Sequence, residues 1–237
     1  MLAILYALRE ELKPFLQEVT INSELKLGTT NLLRGSWQQH SLILVRTGIG
    51  PTRAAEATRR LLEFHRPSMV LSIGYAGGLH FDLKRGDWLV AQQVSDNQGN
   101  PIATDPTTLT KIVQRLRTGT QAFHKGSLLT VPRALTQVEE KHEAGKKGFL
   151  AVDMETYAAA QILSARKIPL ASLRVIFDPL EETLPFENNE IGKAFVKNPK
   201  LLLKIPRLFQ ANRLCQQRIY DLLTGIIPLL SPFEKGG

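Results

Sequence analysis

The stretch Met69-Val-Leu-Ser-Ile-Gly-Tyr-Ala-Gly-Gly78 decides the fold. Residues 69–75 form a near-continuous apolar run, the mark of a strand buried on both faces, and such strands belong to sheets covered by helices on each side. The run ends in Ala76-Gly77-Gly78. Taken alone, those small residues are a tight turn. They also allow a flat ligand to lie against the backbone at the carboxyl end of a sheet strand, where open α/β folds bind.

Working outward, apolar strand-like runs alternate with stretches of helical period. Upstream, the pattern predicts a strand over Leu2–Ala7, a helix over Arg9–Val19, a strand over Ser41–Thr47 and a helix over Pro51–His65 behind the turn Gly48-Ile-Gly50. Downstream it predicts strands over Trp88–Val94, Ser127–Val131, Phe149–Val152 and Leu170–Phe177, with helices over Asp105–Arg117, Leu135–Ala144 and Met154–Lys167. Alternation of this kind predicts an α/β domain of layers, with the sheet between helices.

The composition shifts after Pro179. Residues 180–192 read as an acidic loop, residues 196–230 as basic, leucine-rich helix, and 231–237 as a frayed end. The expected organisation is an α/β domain over 1–192 and a basic amphipathic helical extension over 193–230. That extension has two readings. Its apolar positions Leu208, Cys215, Ile219, Leu222 and Ile226 either pack on the core or lie on anionic headgroups.

Composition excludes several classes. With 237 residues, 43% hydrophobic and 22% charged, the chain has enough apolar material for a proper core and is not a disordered polymer. Its net charge of +8 invites a nucleic-acid reading, but residues 191–237 hold eight basic and two acidic side chains and so carry six of those charges. The body is nearly neutral and has no nucleic-acid recognition motif. A single cysteine, Cys215, excludes an internal disulfide and a cysteine-rich zinc site. No apolar run reaches the roughly 20 residues of a membrane span. The apolar start runs into Arg9-Glu10-Glu11 without a basic leader, so the expected location is the cytoplasm, with the inner membrane face as the variant that a lipid-contacting extension implies.

For chemistry, the cofactor motifs are missing: Gly48-Ile-Gly50-Pro-Thr-Arg53 has arginine where a dinucleotide fingerprint needs glycine, and no P-loop occurs. The five histidines form no i,i+4 metal pair and no serine lies in a nucleophile elbow. Three acids remain. Glu11, Glu155 and Asp178 each follow a predicted strand. Singly, each has an ordinary explanation as a helix-start or turn residue. Together, three carboxylates at strand ends can share one cleft, and without metal or nucleophile they suit acid-assisted departure of a leaving group with attack by water.

In order and spacing, Val45-Arg-Thr-Gly-Ile-Gly50, Ser72-Ile-Gly-Tyr-Ala-Gly-Gly-Leu79, Gly86-Asp87, Ala151-Val-Asp-Met-Glu155 and Arg174-Val-Ile-Phe-Asp178 resemble the nucleoside phosphorylase and nucleosidase superfamily over about residues 1–180. The resemblance implies a three-layer α/β/α fold with a central twisted mixed sheet. It also implies a homo-oligomer, a small-molecule nucleoside substrate, and no cofactor or metal beyond phosphate as co-substrate in the phosphorylases. By likeness to the methylthioadenosine/adenosylhomocysteine nucleosidases, Glu11 corresponds to the water-activating residue and Asp178 to the acid that protonates the purine. Glu155 corresponds to the clamp on the ribose hydroxyls, with Met154 beneath the sugar. Ala76 and Gly77 fall where that family lines its pocket, and Phe149 and Val152 near where it frames the base.

Among subgroups, Ala-Val-Asp-Met-Glu, the run from Arg174 to Pro185 and the basic extension are most similar to the hopanoid-associated members, which implies release of adenine from adenosylhopane, a lipid-linked nucleoside. Methylthioadenosine/adenosylhomocysteine nucleosidase, futalosine hydrolase and purine phosphorylase activities stand as alternatives. Tyr75 and Phe177 replace serines of the methylthioadenosine enzymes and mark candidate selectivity positions. Ser72 stands where related phosphorylases carry an anion-binding arginine, leaving Arg9 and Arg46 as candidates for a partial anion site. Water is the favoured acceptor.

Overall fold

The computed structural model describes residues 1–183 and 205–231. Its elements follow in the order β1 (Leu2–Tyr6), α1 (Lys13–Leu16), β2 (Thr20–Leu27), β3 (Thr30–Trp37), β4 (His40–Arg46), α2 (Pro51–Phe64), β5 (Met69–Gly78), β6 (Trp88–Ser95), β7 (Pro101–Ala103), α3 (Pro106–Arg117), β8 (Phe123–Thr130), α4 (Val138–Lys146), β9 (Phe149–Asp153), α5 (Thr156–Ala165), β10 (Leu170–Asp178) and α6 (Ile205–Leu230).

The apolar run at 69–75 forms most of β5, and β5 is the hub of a ten-stranded mixed sheet. β1 lies parallel to it on one side, followed by parallel β4 and then the antiparallel strands β3 and β2. On the other side β10 runs parallel to β5, β6 antiparallel to β10, and β8 and β9 follow in parallel register. β9 then returns to the tail of β5, pairing Val152 with Gly77 and Ala151 with Gly78 antiparallel. Strands β5, β10, β6, β8 and β9 therefore close into a ring, and β1–β4 extend from it as an open wing.

Both faces are covered, as the strand composition predicts. Leu2, Ile4, Leu71, Ile73, Leu173 and Val175 pack with residues of α1, α3 and α6, whereas Ala3, Leu5, Val70, Leu128 and Ile176 pack with α2 and α5. The expected three-layer arrangement is found.

Differences from expectation have local causes. The helix expected over Arg9–Val19 shrinks to the single turn α1, because the backbone N–H groups of Ala7 and Leu8 donate to the Glu11 carboxylate and hold residues 8–11 in a turn. Pro14 then starts the helix with its fixed φ. The hairpin β2–β3 stands where no element was expected. Its signal is the alternation of Ile21, Leu25 and Leu27 with Asn22, Glu24 and Lys26, on a strand that is exposed except at Leu25 and Leu27, which are half-buried.

Helix α6 resolves the two readings of the apolar stripe within the described residues. Cys215, Ile219, Leu222, Leu223, Ile226 and Ile227 are buried in the same cluster as β1, β5 and β10. The stripe is core. The acidic loop beyond Thr183, the start of the basic segment and the end at 232–237 lie outside the described residues.

Candidate active site

Glu11 is anchored entirely by backbone. Its Oε2 accepts from the N–H groups of Ala7 (2.9 Å) and Leu8 (2.8 Å), and its Oε1 accepts from Tyr75 N–H (3.0 Å) on β5. The side chain is buried, and burial raises its pKa against the opposing pull of those three donors and of the Arg174 guanidinium. Gly74 makes this packing possible. A methyl group there would lie 2.6 Å from Glu11 Oε1.

Glu155 is the N-cap of α5 and reaches across the sheet to another turn. Its Oε1 accepts from Gly50 N–H (2.8 Å) and its Oε2 from Met154 N–H (3.2 Å). Gly50 has φ of 100°, a conformation that favours glycine, so the Gly48-Ile-Gly50 turn serves to aim an amide at this carboxylate. Burial, reinforced by the charge of Asp153, pushes the Glu155 pKa up to about 8.

Arg174 joins the two acids from below. Its Nη2 donates to Ser72 Oγ (2.8 Å), to Thr156 Oγ1 (2.5 Å) and to Asp153 Oδ2 (2.9 Å), and its Nε to the same Asp153 oxygen (3.0 Å). Arg174 and Asp153 are both buried and form an ion pair. The guanidinium thus fills the space beside Ser72.

Glu11, Ser72, Gly74, Tyr75, Glu155 and Arg174 line one cavity of about 10 Å³, the room of a single water molecule. Tyr6 closes its rear. The Tyr6 hydroxyl pKa is raised to about 12 by burial, against the charges of Arg46 and Arg9, so both arginines lie close behind the cavity. Arg46 is half-buried and Arg9 exposed.

Asp178 ends β10 and sits outside that cavity, packed on the tail of β5. A methyl group at Gly77 would lie 3.1 Å from its Oδ2 and 3.2 Å from a methyl carbon of Val152. Gly74, against Glu11, and Gly77, against Asp178, are three residues apart on one strand, so the two acids are stationed roughly 10 Å apart along it. Asp178 Oδ2 lies 2.5 Å from Lys141 Nζ. Burial raises the Asp178 pKa to about 6, and the Lys141 charge restrains that rise.

The profile of the phosphorylase superfamily matches residues 1–205. The chain belongs to the phosphorylase superfamily. Among superfamily relatives, a 5'-methylthioadenosine/S-adenosylhomocysteine nucleosidase of Tolumonas auensis is 23% identical over 225 residues, covering 85% of this chain and 96% of that one. The Staphylococcus epidermidis protein of the same name is 26% identical over 197 residues, covering 75% and 86%. Two solved superfamily structures share the fold. The methylthioadenosine/adenosylhomocysteine nucleosidase of Neisseria meningitidis in complex with methylthio-immucillin-A has a TM-score of 0.75 at 19% identity, covering 94% of this chain and 97% of that one. The futalosine hydrolase of Helicobacter pylori has a TM-score of 0.74 at 20% identity, covering 94% and 97%.

Within this superfamily fold, Glu11, Tyr75 and Glu155 share the cavity, and Met154, half-buried, supplies an amide to Glu155. Gly77 and Val152 lie against Asp178 instead, and Ala76 is buried between the two positions on β5. Tyr75 and Phe177 stack at 5.2 Å, Arg85 lies 6.0 Å over the Phe177 ring, and Tyr75 donates its hydroxyl to Asn212 Oδ1 of α6 (2.8 Å). Phe149 lines a separate polar recess with Gln93, Ser95 and Lys147. Two participants escaped the sequence reading. Arg174 stood inside the quoted motif without a role of its own, and Lys141 showed only as a lysine three residues before Ala144, another buried position of α4. Among the described residues no cluster of His, Cys, Asp and Glu is arranged to hold a metal, and no helix is long and apolar enough to cross a membrane.

Proposed function

We propose that the protein hydrolyses the N-glycosidic bond of a 5′-modified adenosine and releases adenine. The observation that carries this reading is the one-water cavity between Glu11, Ser72, Glu155 and Arg174. It suits water as acceptor better than phosphate, which has five heavy atoms and would have to enter beside a serine whose arginine neighbour is already committed to Asp153.

Water held in the cavity gives a proton to the Glu11 carboxylate as its oxygen bonds to C1′ of the ribose. The C1′–N9 bond breaks, its electron pair moves onto the base, and Asp178 as the carboxylic acid gives its proton to N7. Adenine and the free sugar leave. The proton on Glu11 returns to Asp178 through solvent, so one water is consumed per turnover. Glu155 accepts hydrogen bonds from the ribose hydroxyls while the sugar carries oxocarbenium character, and Met154 lies beneath the ring. Protonating a base that leaves poorly as an anion is worth on the order of 10²–10⁴ in rate. Ala76, Gly77 and Val152 support the base; Phe149 extends that wall.

For the 5′ group, the stacked rings of Tyr75 and Phe177 under α6 support an apolar substituent, and adenosylhopane is our choice. Exposed Phe209 between Arg207 and Arg213 supports contact with an anionic membrane while such a substrate is collected. The test is incubation with adenosylhopane, methylthioadenosine and futalosine, with and without phosphate, followed by chromatography of the freed base. Release without phosphate, fastest from adenosylhopane, is expected. Strict dependence on phosphate overturns the hydrolase reading, and faster turnover of methylthioadenosine or futalosine overturns the choice of 5′ group.

A further inference from the structure

Lys141 is the best-buried cation outside the cavity, with no exposed side-chain surface. A bare ammonium in such a place is strongly disfavoured unless oxygens surround it. Four do. Nζ lies 2.5 Å from Asp178 Oδ2 and donates toward the carbonyls of Glu182 (2.8 Å), Pro179 (3.0 Å) and Asp178 (3.4 Å). One carboxylate and three carbonyls, all from residues 178–182, converge on one ammonium carried by a different element.

Helix α4 is shaped for that delivery. Gly145, one turn beyond Lys141, lies so close to the end of β5 that a methyl group on it would stand 2.3 Å from the Leu79 carbonyl oxygen. Ala144 packs with Leu79, Leu129 and Val152 on the same side. The loop that receives the lysine is tied down independently: Glu182 pairs with Arg85 and, at 2.9 Å, with Arg207 of α6.

We propose that Lys141 is a positioning residue for the acid Asp178: it fixes the carboxyl group against Gly77 and remains a buried positive charge that stabilises the carboxylate left when the proton passes to the base. The proposal rests on the reading of Asp178 as the acid. The O–H bond of Asp178 breaks, an N7–H bond forms, and the ammonium keeps its three protons throughout. The charged and titratable groups that face Asp178 are Lys141 from α4, Glu182 from its own loop, Arg85 from the segment before β6, and Cys215 from α6. Of these, Lys141 alone touches the carboxylate and opposes burial most strongly.

The experiment is the pH dependence of kcat/KM for base release from the fastest of the three nucleosides, in the wild type, Lys141→Met, Lys141→Arg and Asp178→Asn, with folding checked by thermal melting. In the wild type the rate should fall as pH rises through about 6, where Asp178 loses its proton. Lys141→Met should lower kcat by about 10- to 100-fold with KM changed less than about threefold, and should move that falling limb upward by at least one pH unit, because the carboxyl group without its cation holds its proton longer. Lys141→Arg should recover part of kcat and bring the limb back down. A limb that stays in place in folded Lys141→Met overturns the proposal. If Lys141→Met does not fold, an Arg variant that folds but keeps the wild-type kcat and limb position supports it, and one with the wild-type limb but a raised KM alone overturns it. Wild-type turnover by Asp178→Asn would overturn the parent reading instead, so the two failures are distinguishable.

Discussion

At the residue scale, the three carboxylates are costly to the fold. Each is buried, and each has its pKa raised by desolvation, so the folded state binds protons that the unfolded chain has already lost. For Glu155, with an ordinary value of 4.5 and a folded value of about 8, the penalty is absent below the first, grows between them and is complete above the second. Glu155→Gln should therefore leave Tm almost unchanged at pH 4.5 and raise it by roughly 5 °C at pH 8.5, given about 2–4 °C per kcal/mol for a chain of this size. Differential scanning calorimetry at the two pH values checks this. The same variant should lose most of its base release, the trade between stability and activity expected of a site. Asp178→Asn should reduce release by about 10²–10⁴ while binding of a non-hydrolysable nucleoside persists, as single-turnover kinetics and calorimetry would show. Arg174→Met is the opposite case. It leaves Asp153 buried without its partner and should destabilise by about 3–5 kcal/mol in denaturant melts.

At the element scale, β5 carries both stations of the site because it lacks side chains where carboxylates need room. Gly74→Ala places a methyl group 2.6 Å from Glu11 Oε1, and the carboxylate has three backbone anchors to lose. Base release should fall at least 100-fold while the circular dichroism spectrum is kept; wild-type turnover in this variant would show that Glu11 is not required where it stands. The strand itself was legible because seven apolar residues before paired glycines admit few readings. Glu11, Glu155 and Asp178 were legible for a related reason, since each follows a strand in sequence and so arrives where strands end. The short α1 was not legible, because nothing in Arg9–Val19 announces that the Glu11 side chain takes the amides a helix would leave free. Lys141 was hidden more deeply. A lysine on a helix ordinarily faces water, and only the fold reveals that four oxygens from residues 178–182 meet it.

At the scale of the whole molecule, the charge surplus and the apolar stripe of the basic segment separate. The stripe of α6 joins the core with β1, β5 and β10, and its basic residues Arg207 and Arg213 stay exposed. Ile219→Asp, which puts an unpaired charge at a fully buried position, should unfold the protein or cost more than about 4 kcal/mol, seen as insolubility or a collapsed melting transition. A surface-lying helix would tolerate that change. Phe209→Ser, on the exposed side, should leave Tm within about 2 °C and act only on vesicle binding, measured by flotation.

The ring of β5, β10, β6, β8 and β9 also governs when the molecule becomes whole during synthesis. Its closing pair joins Val70 to Leu170 across one hundred intervening positions. Such long-range pairing is slow, and α6 follows it. A chain emerging from the ribosome holds Glu11 and Gly74 early, yet has no Arg174, no Asp178 and no cover for its core until its last quarter is released. Until then the exposed apolar strands of the ring are a task for chaperones, and competence comes at the end of translation rather than by degrees.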